Sequence, residues 1–185
     1  MSDVDVFLVN CCLRGDPEAI AGLVRRFQTD VLNLCYRLLN HSQDAEDVTQ
    51  EVFLRVFRSL KSWDSSRPLK PWIMGIAINR CRTFLSQRSR RPDLVEYLHD
   101  TVASKPIDNV NELTHEIKLA IEDLRVEYQS VFVMYHEQGL PYEDIAVAMD
   151  RPVGTIKTWL HRARLVILQR LRERGMLSEV EHELP

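Results

Sequence analysis

Residues 142–164 read YEDIAVAMDRPVGTIKTWLHRAR, and the fold turns on how this stretch is read. Tyr142–Met149 carries a short helical pattern, Asp150-Arg151-Pro152-Val153-Gly154 carries turn chemistry, and a longer helix follows from about Thr155. Pro152 and Gly154 make the turn sharp, and small Ala146 lets two helices cross closely. In the second helix Ile156, Leu160, Ala163, Ile167 and Leu171 recur on one face and should anchor it to a core. Lys157, Thr158, His161 and Arg162 point the other way. An apolar back with long donors in front is what a recognition helix needs to reach base edges in a major groove. The plain alternative is a helical hairpin with a solvated basic face, but length, turn chemistry and charge agree with helix-turn-helix. Lys157 and Arg162 stay open between base and phosphate contacts, and His161 between DNA and its neighbours.

Working outward, the chain has 185 residues, 45% hydrophobic and 28% charged, as in a globular protein of one ordinary domain or two small ones. No apolar run approaches the roughly 20 residues that span a bilayer. The N-terminus MSDVDVF is acidic where a secretory signal would be basic. Cys11, Cys12, Cys35 and Cys81 lack CxxC spacing and lie in apolar helical stretches, so they read as buried thiols in a reducing compartment. No GxxxxGK[ST] or GxGxxG loop occurs. Secreted, membrane-spanning and nucleotide-binding classes are thereby disfavoured, and neither metal nor cofactor is called for.

Net charge is −3, yet charge is segregated along the chain. Five arginines (Arg80, Arg82, Arg88, Arg90, Arg91) and no acid lie between Asn79 and Arg91. Lys157, Arg162, Arg164, Arg170, Arg172 and Arg174 face a single acid, Glu173, between Thr155 and Arg174. Asp44, Glu46, Asp47 and Glu51 form one acidic block, and residues 93–127 form another. Asp16-Pro17-Glu18 starts a helix with apolar positions from Ile20 to Leu38. Ser42 is the expected cap of the next, where Val48, Val52, Val56 and Leu60 repeat opposite a polar face. A turn at Trp63–Pro68 precedes a helix from Pro71 to Arg91, and residues 92–111 read as a linker. Helical patterning resumes near Glu112 and runs to His136, with a turn at Gly139-Leu140-Pro141. No stretch alternates like a strand. The expected fold is all-α: two small helical domains (1–91 and 112–185) joined by a flexible linker, the second a helix-turn-helix.

The run LPYEDIAVAMDRPVGTIKTWLHRAR resembles the −35-reading helix-turn-helix of bacterial sigma-70-family factors of the small extracytoplasmic-function type. GDPEAIAGLVRRF, DAEDVTQEVFLRVFRSL and PWIMGIAINRCRTFLSQRSRR resemble, in order, that family's region 2. The match covers nearly the whole chain apart from the linker and the last dozen residues, and several motifs in the right order make it specific where a lone helix-turn-helix would not be. The resemblance implies a cytoplasmic, non-enzymatic subunit that binds core RNA polymerase, reads two promoter elements and helps open the duplex.

Position by position, it implies that Asp47, Gln50, Glu51 and Leu54 meet the polymerase β′ clamp helices, with the β flap as a further polymerase contact. Asn79, Arg80, Arg82 and Thr83 would meet the −10 element, with Arg88, Arg90 and Arg91 as phosphate clamps. Trp63, or Trp72, would stack on a flipped base, as the loop from Trp63 to Lys70 resembles the family's pocket. Thr155, Lys157, Thr158, His161, Arg162 and Arg164 would meet the −35 element. An anti-sigma factor covering both DNA faces is the further implied partner. Trp159, Pro71 and Leu69 depart from the family's usual residues. Two other classes stay in view. A stand-alone helix-turn-helix regulator would not need the arginine-rich and acidic faces of the first domain. A metal enzyme would use Asp44, Glu46, Asp47 and Glu51, but no histidine or second carboxylate helix accompanies them.

Overall fold

The computed structural model describes residues 3–89 and 109–176. Among the described residues the chain is helical and holds no strand: α1 (Asp3–Leu13), α2 (Pro17–Leu39), α3 (Ser42–Ser59), α4 (Leu69–Ser89), α5 (Asn109–Glu122), α6 (Val126–Phe132), α7 (Tyr142–Met149) and α8 (Val153–Glu173). The all-α reading holds. Helix α1 gives bounds to the apolar helical stretch expected around Cys11 and Cys12, both of which are buried. Its buried Asp5 is held by Arg26 of α2 at 2.6 Å.

Helix α2 begins as the sequence suggests. Asp16 is extended, and its Oδ1 accepts from the amides of Glu18 and Ala19 at 3.0 and 3.4 Å, with Pro17 in the first turn. It ends on Asn40 at φ 49°, a left-handed cap of the kind asparagine tolerates. The expected cap of α3 is corrected. His41, not Ser42, caps it: the His41 backbone is extended, and its Nδ1 accepts from the Asp44 amide at 3.3 Å. Ser42 is already helical and so cannot play that part. Val48, Val52, Val56 and Leu60 are buried as read. In the loop before α4, Asp64 Oδ1 accepts from the Ser66 amide at 2.9 Å, which fixes the turn.

Helix α4 buries Leu69, Pro71, Ile73, Met74, Gly75, Ala77, Ile78 and Cys81. Those positions wrap most of its circumference, so the helix has to be covered on more than one side. Helices α2 and α3 cover one side, where Cys35 and Cys81 lie fully buried with their sulfurs 3.6 Å apart. Donation to Cys35, and then burial, push the Cys81 thiol up, as suits an inert packing residue.

In the second half, α5 and α6 are separated by Asp123-Leu124-Arg125, and α6 runs on into a wide turn at Val133–Glu137. Ala120, Ile121 and Leu124 pack against Ala163, Ile167 and Leu171 of α8. Two sequence expectations are revised here. The turn of the helix-turn-helix is Asp150-Arg151-Pro152, and Gly154 lies inside α8 with open space where a Cβ would be. Asp150 takes the left-handed role (φ 51°), and the Arg151 amide reaches back to the Ala146 carbonyl at 3.1 Å. A short polar side chain tolerates that conformation, so the turn needs no glycine. Helix α5 also starts at Asn109, inside the segment expected to be linker; residues 90–108 lie outside the described ones.

The two helical groups do not stand apart. Helix α7 packs on the side of α4 left open by α2 and α3, and one apolar cluster runs through both groups. At the tightest point a Cβ on Gly75 would stand 2.6 Å from the Ala148 carbonyl oxygen. Around it the contacts are polar. Arg37 of α2 grips Glu137 with two bonds of 3.0 and 3.1 Å, Gln129 donates to the Arg37 carbonyl at 2.6 Å, and Gln138 donates to the Asp30 carbonyl at 2.9 Å.

Candidate nucleic-acid interface

On α8, Ile156, Leu160, Ala163, Ile167 and Leu171 are all buried, which turns Lys157, Thr158, His161 and Arg162 to solvent on the opposite face. Lys157 and Arg162 each contact an aromatic neighbour. The Lys157 ammonium sits 5.5 Å from the Tyr142 ring centroid, and Arg162 Nη1 donates to the Tyr128 hydroxyl at 3.3 Å. Thr158 donates its hydroxyl to the Gly154 carbonyl at 2.9 Å. Thr155 is half-buried at the start of the helix. Trp159 is half-buried against Tyr128, with centroids 6.4 Å apart, so its indole packs within the fold.

Arg164 is drawn aside from the group it was expected to join. Its guanidinium lies over Tyr135 at 5.4 Å and donates to His136 Nε2 at 3.2–3.3 Å. Partial burial, and then the nearby Arg164 charge, hold the His136 pKa below its ordinary 6.5. The fold therefore favours the neutral imidazole, and its contribution to stability is complete above about 6.5 and lost as pH falls through the depressed value. Arg164→Ala should move the His136 titration upward, read by the ring proton shifts in an NMR pH series. An unmoved midpoint would mean that the two groups do not interact.

The cationic helix α4 is less open than its sequence suggests. Asn79 and Thr83 are exposed side by side, with the Thr83 hydroxyl donating to the Asn79 carbonyl at 2.8 Å. Arg80 turns inward: its side chain is 9% exposed and grips Glu51 of α3 through bonds of 2.5 and 3.0 Å. The hydrogen bond from Arg80 holds the Glu51 carboxyl below the usual carboxylate range, against an opposing effect of burial. Arg82 is half-buried and lies 3.7 Å from Glu127 of α6, and Arg88 lies 3.6 Å from Asp44. Trp63 is half-buried against the core. Arg90 and Arg91 lie outside the described residues.

Helix α3 presents Asp47, Gln50 and Leu54 outward, with Leu54 56% exposed in polar surroundings. An isolated exposed leucine with a charged rim has the form of an interface anchor. The structure thus gathers four expected residues on the α8 face, two on α4 and three on α3. It pairs one expected polymerase contact, Glu51, with one expected DNA contact, Arg80. That pairing spans 29 positions of sequence, and no local pattern could announce it. Sequence reading also passed over Leu165, Val166 and Leu168, which lie exposed on α8 beyond the basic face. Their apolar character was the available signal. Among the described residues no cluster of His, Cys, Asp or Glu could hold a metal ion, and no helix is long and apolar enough to cross a membrane.

Comparison with known proteins covers both halves of the chain. A family model described as Sigma-70 region 2 matches residues 23–91, and one described as Sigma-70, region 4 matches residues 114–167. The chain is 31% identical over 176 residues to RNA polymerase sigma-H factor of Pseudomonas aeruginosa, covering 88% of this chain and 91% of that one. It is 32% identical over 177 residues to ECF RNA polymerase sigma factor SigW of Bacillus subtilis, covering 86% and 92%. It is 33% identical over 176 residues to ECF RNA polymerase sigma-E factor of Escherichia coli, covering 88% and 92%. Two solved structures share the fold. One is CnrH in complex with the cytosolic domain of CnrY (TM-score 0.70, 19% identity, 92% of this chain and 99% of that one). The other is the sigma factor RpoE of Bartonella quintana in complex with the anti-sigma factor NepR (TM-score 0.68, 20% identity, 82% and 96%). A stand-alone regulator would share the second half alone. With both halves matched in order, this chain belongs to the sigma-70 family of RNA polymerase sigma factors, in its ECF group.

Proposed function

We propose that residues 1–91 dock on core RNA polymerase and read the −10 element, that residues 112–185 read the −35 element, and that residues 92–111 join them. The outward face of α8, anchored from behind and basic in front, is the observation that carries this reading. Lys157, Thr158, His161 and Arg162 enter the major groove there, while Thr155 and Arg164 flank it. On α3, Asp47, Gln50 and Leu54 meet the clamp helices of β′, where their acid attracts a basic partner. Glu51 borders that surface, and the apolar end of α8 suits the β flap. On α4, Asn79 and Thr83 meet the opened strand together with Arg82, while Arg88, Arg90 and Arg91 hold phosphates. Trp63 borders the flipped-base pocket. The protein works in the cytoplasm, catalyses no reaction of its own, and is held in check by an anti-sigma factor.

Run-off transcription by core polymerase with the purified chain, on promoters selected by footprinting, tests the reading. Lys157→Ala and Arg162→Ala should each weaken −35 binding by about 1 kcal/mol, roughly fivefold. A phosphate contact would weaken all promoters alike, and a base contact would also relax the preferred −35 sequence. Unchanged binding in both variants would remove this face from the reading. Tight duplex binding without core polymerase would favour a stand-alone regulator.

A further inference from the structure

We infer that Tyr128 of α6, braced by Trp159, is a positioning residue that sets the aim of Arg162 and so determines how strictly α8 selects its bases. The inference rests on the proposed function, because that reading puts Arg162 in the major groove. Arg162 is exposed, and its Nη1 donates to the Tyr128 hydroxyl at 3.3 Å, across 34 positions of sequence. The tyrosine lies outside the helix-turn-helix, so no motif marks it. Its ring is held by packing. It lies against the apolar cluster that joins Ala120, Ile121 and Leu124 to Ala163, Ile167 and Leu171. The Arg125 guanidinium stands 5.8 Å from its centroid, and the Trp159 ring lies 6.4 Å away, tilted by 52°.

A hydroxyl orients a guanidinium without neutralising it. Arg80 and Arg82 each face a carboxylate, whereas Arg162 meets a neutral oxygen and keeps its full charge for DNA. The bond is also directional, unlike the contact of the Lys157 ammonium with the Tyr142 ring. With Nη1 engaged, Nε and Nη2 remain. That edge of the rigid fork carries the two parallel donors that pair with adjacent acceptors such as guanine O6 and N7. A long side chain that is already ordered also gives up less rotamer freedom when it docks. Trp159, which departs from the family's usual residue, acquires a part in this arrangement. It precedes Arg162 by three positions, so the two share one side of α8, and its indole occupies the space into which the Tyr128 ring would otherwise swing.

The test uses holoenzyme assembled from core polymerase and the full chain, with promoter duplexes randomised across the −35 element and fixed at the −10 element. Tyr128→Phe keeps the ring and removes only the acceptor. It is expected to leave core binding and thermal unfolding unchanged, to weaken −35 binding about threefold, and to relax the base preference at one position. That position should be the one that Arg162→Ala relaxes, and Tyr128→Phe should add nothing in the Arg162→Ala background. Trp159→Leu should relax the same position and add nothing to Tyr128→Phe. Unchanged selection in Tyr128→Phe, while Arg162→Ala relaxes it, would overturn the inference and leave the functional reading of α8 in place. Selection untouched by Arg162→Ala would remove that reading, and the inference with it. An additive effect of Trp159→Leu would mean that the indole meets DNA directly and braces nothing. A fall in core binding or thermal stability that accounts for the whole loss would make the hydroxyl merely structural, and would equally overturn the inference.

Discussion

Glu51→Ala is expected to destabilise the chain by about 2 kcal/mol, whereas Arg80→Met should cost under about 1 kcal/mol. The asymmetry follows from where each partner is left. Without Glu51, the Arg80 guanidinium keeps its 9% exposure and has lost its counter-charge. Abandoning one charge of a fully buried pair costs about 3–5 kcal/mol, and water reaching the open side of this pair reduces that figure. Without Arg80, the Glu51 side chain is already 45% exposed and rehydrates where it stands. Methionine meanwhile keeps most of the apolar stem and gives up only the distant guanidinium contact with the Phe84 ring, 5.9 Å from its centroid. Urea unfolding of both variants reads the difference, and equal costs would mean that the pair is solvated on both sides.

The same pair gives a pH signature. Glu51 titrates below its ordinary 4.5 in the fold, so its contribution is complete above about 4.5 and disappears as pH falls through the depressed folded value. Glu51→Gln should flatten the acid limb of the stability curve. The comparison matters for function because Glu51 borders the proposed polymerase surface. A loss of core binding in Glu51→Ala that thermal stability already explains is no sign of a direct contact, whereas Asp47→Ala and Leu54→Ala carry no such burden.

Gly75→Leu is expected to force α7 off α4. A Cβ at this position already stands 2.6 Å from a backbone oxygen, and a backbone cannot turn away as a flexible side chain can. Overpacking of this kind costs about 1–3 kcal/mol. Leucine in a helix interior is better than glycine by about 0.8 kcal/mol, so α4 itself should form at least as well as before. The damage should fall on the seam. Hydrogen exchange should show lost protection in α7 with α2 and α3 unchanged. Uniform loss of protection across α2, α3 and α4 would instead make Gly75 a residue of the first core.

Much of this could be read locally. Asp16, Pro17 and the apolar spacing from Ile20 to Leu38 specify α2 through interactions within about one turn, which is why the helix begins where the sequence says. The apolar back and basic front of α8 follow from helical periodicity in the same way. Errors arose where two residue types compete for one role. His41 displaced Ser42 because the imidazole nitrogen reached the Asp44 amide one residue earlier, and Asp150 displaced Gly154 because an aspartate can adopt the left-handed turn.

By itself, then, the order of residues determined the helices, the face each turns to its neighbours, and the family to which their arrangement belongs. These are matters of spacing within a few residues. Tertiary structure alone decided which cations stay open to DNA. Arg80 is taken by Glu51 and Arg82 by Glu127, while Lys157 and Arg162 remain at the surface. It also decided that α7 closes over α4, because ion pairs and a glycine contact between distant segments depend on how the helices meet in space, which spacing along the chain does not encode.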